Sequence, residues 1–115
     1  MAKKELTAIT YKGDKYELVF NLNTMELIQE EYGTVEEWGN RIENTAEPKA
    51  KDIKFGFTAM LNEGIDIYNE EHEEKRAYLN EKQVGRIISE IGLAETASKL
   101  RKTVVDSTKS DEKNS

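Results

Sequence analysis

The fold class is decided near the start of the chain, where residues 6–20 read LTAITYKGDKYELVF. The dipeptide Gly13-Asp14 separates two candidate strands, Leu6–Lys12 and Lys15–Phe20. Glycine at the first position of a two-residue loop suits a type II′ hairpin turn, because it tolerates a positive φ. This turn sets three opposed pairs: Tyr11 with Tyr16, Ile9 with Leu18, and Thr7 with Phe20. Opposed residues share a face of the sheet, and this face is apolar, so we predict an N-terminal β-hairpin.

The rest of the chain follows helical patterns. A first helix begins at Asn23 or Thr24 and ends at Gly33, and Thr34–Glu37 is a capping box that begins a second. After a loop over residues 44–51, apolar residues recur at helical spacing up to about residue 68. They are Ile53, Phe57, Met60, Leu61 and Ile65. Asn69 to Tyr78 is charged and has no period, which indicates an exposed loop or a frayed helix end.

Two more helices are predicted towards the C-terminus. Asn80–Gln83 is a second capping box, and its helix is stopped by Gly92. A last helix runs from Ala94 to about Asp106. A two-stranded hairpin is only marginally stable alone, so it must lie against helices. We therefore predict an α+β fold, a hairpin followed by four to five short helices, with residues 1–106 as a single domain and 107–115 as a disordered charged tail.

The composition excludes several classes of function. The chain has 115 residues, with 23 acidic and 17 basic side chains and a formal net charge of −6. Nucleic-acid binding requires clustered Lys and Arg, so we expect no nucleic-acid partner. Cysteine is absent, which removes disulfides and thiolate metal sites. No apolar run resembles a signal peptide or a membrane span, so we expect no membrane partner and a protein that stays in the compartment of its synthesis.

The sequence offers no convincing catalytic, cofactor or metal site. His72 lies within Glu70-Glu71-His72-Glu73-Glu74, but no second histidine is present to complete a zinc site, and a solvated charged loop explains the run better. The acidic pairs Glu30-Glu31 and Glu36-Glu37 fall near helix termini, and Glu37 already has a capping role, so a structural role explains them better than acid–base catalysis. No nucleophile elbow, dinucleotide fingerprint or Walker loop occurs. We therefore expect a binding protein rather than an enzyme.

Glycine and aromatic residues in the predicted helices indicate close contacts. Gly56, Gly64 and Gly85 each cost about 1 kcal/mol relative to alanine in a helix. Close packing within the domain is one explanation, and a groove that admits a partner helix is the other. Phe55 points away from the Phe57 stripe, so either a wide face is buried or Phe55 belongs to an exposed patch. Trp38 is assigned to the core.

Three segments carry a family resemblance. Residues 19–33 read VFNLNTMELIQEEYG and are followed by VEEW at 35–38, residues 54–64 read KFGFTAMLNEG, and residues 81–88 read EKQVGRII. In this order they resemble the tail assembly chaperones of long-tailed, siphovirus-type bacteriophages and prophages of Gram-positive hosts. The resemblance covers roughly residues 10 to 105, and none of its motifs is catalytic.

The resemblance implies a chaperone of tail morphogenesis in the cytoplasm of the bacterial host. Such proteins bind and solubilise the tape-measure protein and help to recruit tail-tube protein, commonly through a longer frameshifted form. The finished virion typically does not retain them. We expect a homo-oligomer, because many weak contacts repeated along a client suit self-assembly. The candidate partner-binding residues are Phe55, Gly56 and Gly64 on the long helix, with Tyr11 and Tyr16 on the hairpin.

Two alternatives remain open. The chain could be a structural tail or head-completion protein that the virion retains, and mass spectrometry of purified particles separates this from a chaperone. It could also be a small regulatory protein-binding module unrelated to phage, although it lacks a basic DNA-reading helix.

Overall fold

A computed structural model describes residues 7–43 and 45–114, with side chains up to Thr108. Leu6, Asn44 and Ser115, which the sequence analysis placed in the first strand, a loop and the tail, lie outside this part. A two-stranded antiparallel hairpin precedes five helices. Their bounds are β1 (Ala8–Tyr11), β2 (Asp14–Glu17), α1 (Leu22–Tyr32), α2 (Val35–Glu43), α3 (Ala50–His72), α4 (Glu81–Ile91) and α5 (Leu93–Asn114). The predicted α+β class, a hairpin followed by helices, is confirmed.

The hairpin turn lies one residue earlier than predicted. The loop is Lys12-Gly13, with φ of 53° and 86°, and not Gly13-Asp14. Positive φ at both loop positions is the requirement of a type I′ turn, whose twist matches that of the flanking strands. The register therefore pairs Tyr11 with Asp14 and Ile9 with Tyr16, so the three predicted pairs are wrong.

The predicted face of the hairpin is nevertheless correct. The true pairing differs from the predicted one by two residues, and side chains alternate with a period of two, so each stays on its side. Ile9, Tyr16 and Leu18 are all buried. The backbone N–H of Val19 donates to the carbonyl of Met60 at 3.2 Å, which attaches the hairpin to α3.

Helix α3 is the central element, and it contacts β2 and each of the other four helices. Its predicted apolar stripe is buried along the whole length, from Ile53 to Ile65. Trp38 of α2 is 2% exposed, which confirms its assignment to the core. The core therefore lies around α3, with the hairpin and the shorter helices packed against different sides of it.

The capping signals identify most of the helix starts. Thr34 accepts a hydrogen bond from the Glu37 N–H at 2.9 Å, and Asn80 and Gln83 form the reciprocal box that begins α4. Helix α1 begins earlier than predicted, because Asn21 is its N-cap and Thr24 completes a box with it. Gly33, with a φ of 93°, ends α1 in a conformation that disfavours other residues.

Two helices are longer than predicted. Helix α3 continues to His72, and the next residue, Glu73, is its C-cap with a φ of 53°. The next residues are fixed by Asn69, whose side chain exchanges two hydrogen bonds with the backbone of Arg76. Helix α5 continues to Asn114, past the predicted end at Asp106 and over residues 107–114 of the predicted disordered tail. No Gly or Pro follows Gly92, so no local signal stops it.

Candidate functional site

Gly56 allows a close contact within the protein itself. An ideal Cβ at Gly56 would lie 2.2 Å from Cζ2 of Trp38, so the indole ring rests directly on the backbone of α3. The indole Nε1 donates to the carbonyl of Asp52 at 3.0 Å, which fixes the ring one turn earlier on the same helix. Of the two explanations for Gly56, the structure shows close packing within the domain.

Gly64 serves the same purpose for the hairpin. A Cβ at this position would lie 2.2 Å from the carbonyl oxygen of Glu17 in β2. Gly85 differs, since the nearest atom to its Cβ would be the side-chain Cδ of Lys54 at an ordinary 3.7 Å. Gly56 and Gly64 are therefore required by close contacts, whereas Gly85 has space for a methyl group.

Phe55 lies at the junction of α1 and α3. It is half-buried, and its ring meets the Tyr32 ring edge-on with centroids 5.6 Å apart. On α3 it is separated from Gly64 by nine residues, or about 13 Å of helix. The structure therefore does not place Phe55 and Gly64 on one shared local surface.

The two hairpin tyrosines are placed differently from each other. Tyr16 is buried at 7% exposure, and its ring packs under the guanidinium of Arg76 at 4.7 Å. Tyr11 is half-buried at the edge of the core. Tyr16 and Gly64 do line one cleft between β2 and α3, so the structure brings together two of the five predicted residues.

Arg76 closes this cleft. Its guanidinium lies 4.0 Å from the centroid of Tyr68, opposite Tyr16, and its Nη1 donates to the carbonyl of Lys15 at 3.0 Å. His72 stacks on Tyr68, with centroids 4.1 Å apart, at the exposed end of α3. The remaining space is about 230 Å³, below the roughly 300 to 1,000 Å³ of common ligand pockets. Arg76 joins the hairpin to the segment after α3 and leaves little room for a ligand.

A buried carboxylate joins α1 to α3. Asp52 is 5% exposed and accepts a hydrogen bond from the Tyr32 hydroxyl at 2.7 Å. Burial, and then this hydrogen bond, raise the pKa of Tyr32 well above its ordinary value. Tyr32 therefore stays protonated and donates, which suits a structural contact and not a base. The sequence analysis did not single out Asp52; its place in the first turn of α3 was the available signal.

The largest exposed apolar side chains on α1 were also missed. Leu22 is 77% exposed and Leu27 is 46% exposed, whereas Ile28 is fully buried. Residues 27 and 28 differ by about 100° around a helix, so both cannot point to the same neighbour. Helical geometry was the signal that could have identified Leu27 as exposed.

Among the residues that the structure describes, no group of three or more His, Asp or Glu side chains is placed to hold a metal ion. None of the helices over residues 7–114 has an apolar stretch long enough to cross a membrane.

The chain matches no protein-family model, no curated protein and no solved structure.

Proposed function

We propose that this chain is a tail assembly chaperone of a long-tailed bacteriophage or prophage. In this role it binds the tape-measure protein during tail morphogenesis, keeps it soluble, and helps to recruit tail-tube protein. It acts as a homo-oligomer in the cytoplasm of the bacterial host, without catalysis, and leaves before the virion is complete.

The observation that carries the proposal is that the three segments of the resemblance pack on one another. Trp38 of the first segment rests on Gly56 of the second, where a Cβ would overlap the ring. Lys54 of the second lies across Gly85 of the third, 3.7 Å from an ideal Cβ. The three segments of the resemblance are thus parts of one folded unit, and this supports the proposal.

A second observation supports the binding of an apolar client protein. The chain keeps large leucine side chains on its surface, at 77% and 46% exposure on one short helix. The burial of exposed apolar side chains contributes to the association of proteins. A chaperone that acts without an energy source needs such a surface, because apolar contact is its source of binding free energy.

Co-expression tests the proposal. The tape-measure gene, which is expected next to the coding sequence, is expressed with and without this chain, and the soluble fraction is measured. We expect the client to be soluble only in the presence of the chain and to co-purify with it. A client that remains insoluble at equal expression would contradict the proposal. Detection of the chain in purified particles would instead favour a structural virion protein.

Phe55→Asp is not a clean test of binding, although Phe55 is one of the candidate partner-binding residues. Phe55 packs against Tyr32 and the core, so a carboxylate there would also lower the stability of the fold. Exposed residues give a better separation of binding from folding.

A further inference from the structure

The register of the hairpin decides which backbone groups point away from its own ladder. Just before β1, the N–H of Leu18 donates to the carbonyl of Thr7 at 2.9 Å. Hydrogen-bonded and non-hydrogen-bonded pairs alternate along an antiparallel ladder, so β1 bonds to β2 through its odd-numbered residues. The N–H and C=O groups of Ala8 and Thr10 therefore point outward, to the side of β1 that faces away from β2.

The corresponding outer edge of β2 is used by the protein itself. By the same alternation, Lys15 and Glu17 turn their backbone groups to that side. The carbonyl of Lys15 accepts a hydrogen bond from Nη1 of Arg76 at 3.0 Å, and the carbonyl oxygen of Glu17 lies against the backbone of Gly64. Helix α3 and the segment after it thus cover this edge of the hairpin.

The outer edge of β1 differs from that of β2. Within the described residues, β1 pairs with β2 alone, and Ala8 is half-buried while Thr10 is exposed. We call the outward N–H and C=O groups of Ala8 and Thr10 the β1 edge. Natural proteins commonly protect such an edge with charged residues or proline. Residues 7–11, TAITY, include neither. The β1 edge therefore offers two donors and two acceptors to another strand, with no side chain that opposes pairing.

We propose that the β1 edge pairs with the β1 edge of a second copy of this chain. The two strands run antiparallel about a two-fold axis beside Ile9, so that Ala8 lies opposite Thr10 of the partner subunit, and Thr10 opposite the partner's Ala8. Each outward N–H then meets an outward C=O, which gives four hydrogen bonds between the strands. Moving either strand by two residues would leave only one of the two residues opposite the other edge.

Complementarity to itself favours a second copy as the partner of this edge. The same patch serves both copies, as a two-fold interface requires. Each copy has a net charge of −6, but the paired strands carry no charged residue, so no like charges face each other there. On the inner side the buried Ile9 of each copy would lie side by side, which continues the apolar face across a four-stranded sheet. The inference gives a surface to the homo-oligomer, and it rests on the proposed function only for the use of that oligomer.

The dimer is expected to be weak, because the contact is short. A pair of four-residue strands is smaller than a standard stable interface, so we expect a dissociation constant on the order of 100 µM. Weak contacts of this kind add up when several copies lie along one client. Sedimentation equilibrium of the full chain, from about 10 µM to about 1 mM, measures the constant. Circular dichroism confirms that each variant is folded.

Two charge variants test the surface and the register together. Ala8→Lys with Thr10→Lys places lysine opposite lysine in the dimer, and Ala8→Glu with Thr10→Glu places glutamate opposite glutamate. Each variant alone should dimerise about tenfold more weakly than the wild type, because two pairs of like charges face each other. An equimolar mixture of the two should recover dimerisation, because each lysine then faces a glutamate.

Glu17→Lys and Lys15→Glu are the matched controls. They change the net charge by the same amounts as the two edge variants, on the same face of the hairpin but on β2. Both side chains are exposed, so the dissociation constant should change by less than about twofold. Thr10→Pro tests the backbone bonds. It removes an outward donor and no bond to β2, so the hairpin should persist while the dimer weakens by about tenfold.

Several results would overturn the inference. They are a wild-type chain that stays monomeric up to about 1 mM, a dimer that the controls weaken as much as the edge variants do, or a mixture of the charge variants that does not recover dimerisation. The two proposals fail separately. A β1-edge dimer in a chain unable to solubilise the tape-measure protein contradicts the chaperone role alone. Solubilisation by a chain that is monomeric, or that self-associates through another surface, contradicts this inference and leaves the chaperone role intact.

Discussion

Replacing Gly64 by alanine is expected to destabilise the protein, although alanine is the better helix former. Gly64 lies inside α3, where alanine gains about 1 kcal/mol from helix propensity. Its Cβ, however, would lie 2.2 Å from the carbonyl oxygen of Glu17, against roughly 3.3 to 3.6 Å for a carbon–oxygen contact. The obstructing atom belongs to the backbone of β2, so it cannot rotate away. The hairpin must instead move by about 1 Å.

The size of the loss follows from three contributions. Forcing an added carbon into a packed contact costs about 1 to 3 kcal/mol. The shift also disturbs the hydrogen bond from Val19 N–H to the carbonyl of Met60, at 3.2 Å, which adds about 1 kcal/mol. The propensity gain offsets about 1 kcal/mol of this. The free energy of unfolding should therefore fall by about 1 to 3 kcal/mol.

Gly85→Ala is the matched control. It is the same substitution inside a helix, but its nearest contact would be the flexible Lys54 side chain at 3.7 Å. It should therefore raise the free energy of unfolding by about 0.5 to 1 kcal/mol. Urea unfolding, followed by far-ultraviolet circular dichroism and by Trp38 fluorescence, gives the free energy of unfolding of both variants. The dependence of this free energy on urea concentration is expected to be the same for both. A Gly64→Ala protein as stable as the wild type would refute the close approach of β2 to α3.

Three further substitutions test other contacts. Thr58→Val should raise the free energy of unfolding by about 1 kcal/mol in urea unfolding, because the Thr58 hydroxyl is buried without a hydrogen-bond partner. Arg76→Ala should lower it by about 1 to 2 kcal/mol, since two aromatic contacts and one hydrogen bond are lost, and hydrogen exchange of the hairpin should increase. The pKa of Tyr32 is raised above its ordinary value of 10.0. The contribution of Tyr32 to the free energy of unfolding is therefore fully present below pH 10.0 and is lost as the pH rises further. Tyr32→Phe should therefore lose less stability than the wild type above pH 10.0 in pH-dependent unfolding.

The parts of the fold that depend on neighbours in sequence could be predicted. The Thr34 cap and the Asn80 capping box each join residues three apart, and the buried stripe of α3 repeats at helical spacing, so local geometry determines both. The hairpin register could not be predicted from its apolar pattern. A shift of two residues leaves every side chain on its face, so only the backbone of Lys12-Gly13 decides between the registers.

The environments of the glycines depend on residues far away in the sequence. Gly56 meets Trp38, 18 positions earlier, and Gly64 meets Glu17, 47 positions earlier. From the sequence, Gly56, Gly64 and Gly85 look alike, as glycines that weaken a helix. The structure separates them, because two are needed for a close approach and the third has space. The same applies to α1, where the position of α3 decides which apolar side chains are covered.

The structure thereby divides the candidate residues into those that maintain the fold and those that are free to bind. A variant at Gly56 or Gly64 that loses client binding is ambiguous, because its Cβ would displace Trp38 or β2 and so change the fold first. Leu22, at 77% exposure, contributes little to folding, so its loss should affect only a partner. Binding measurements on a variant at Leu22 can therefore be interpreted directly, whereas those on the glycines require the stability of each variant as a correction.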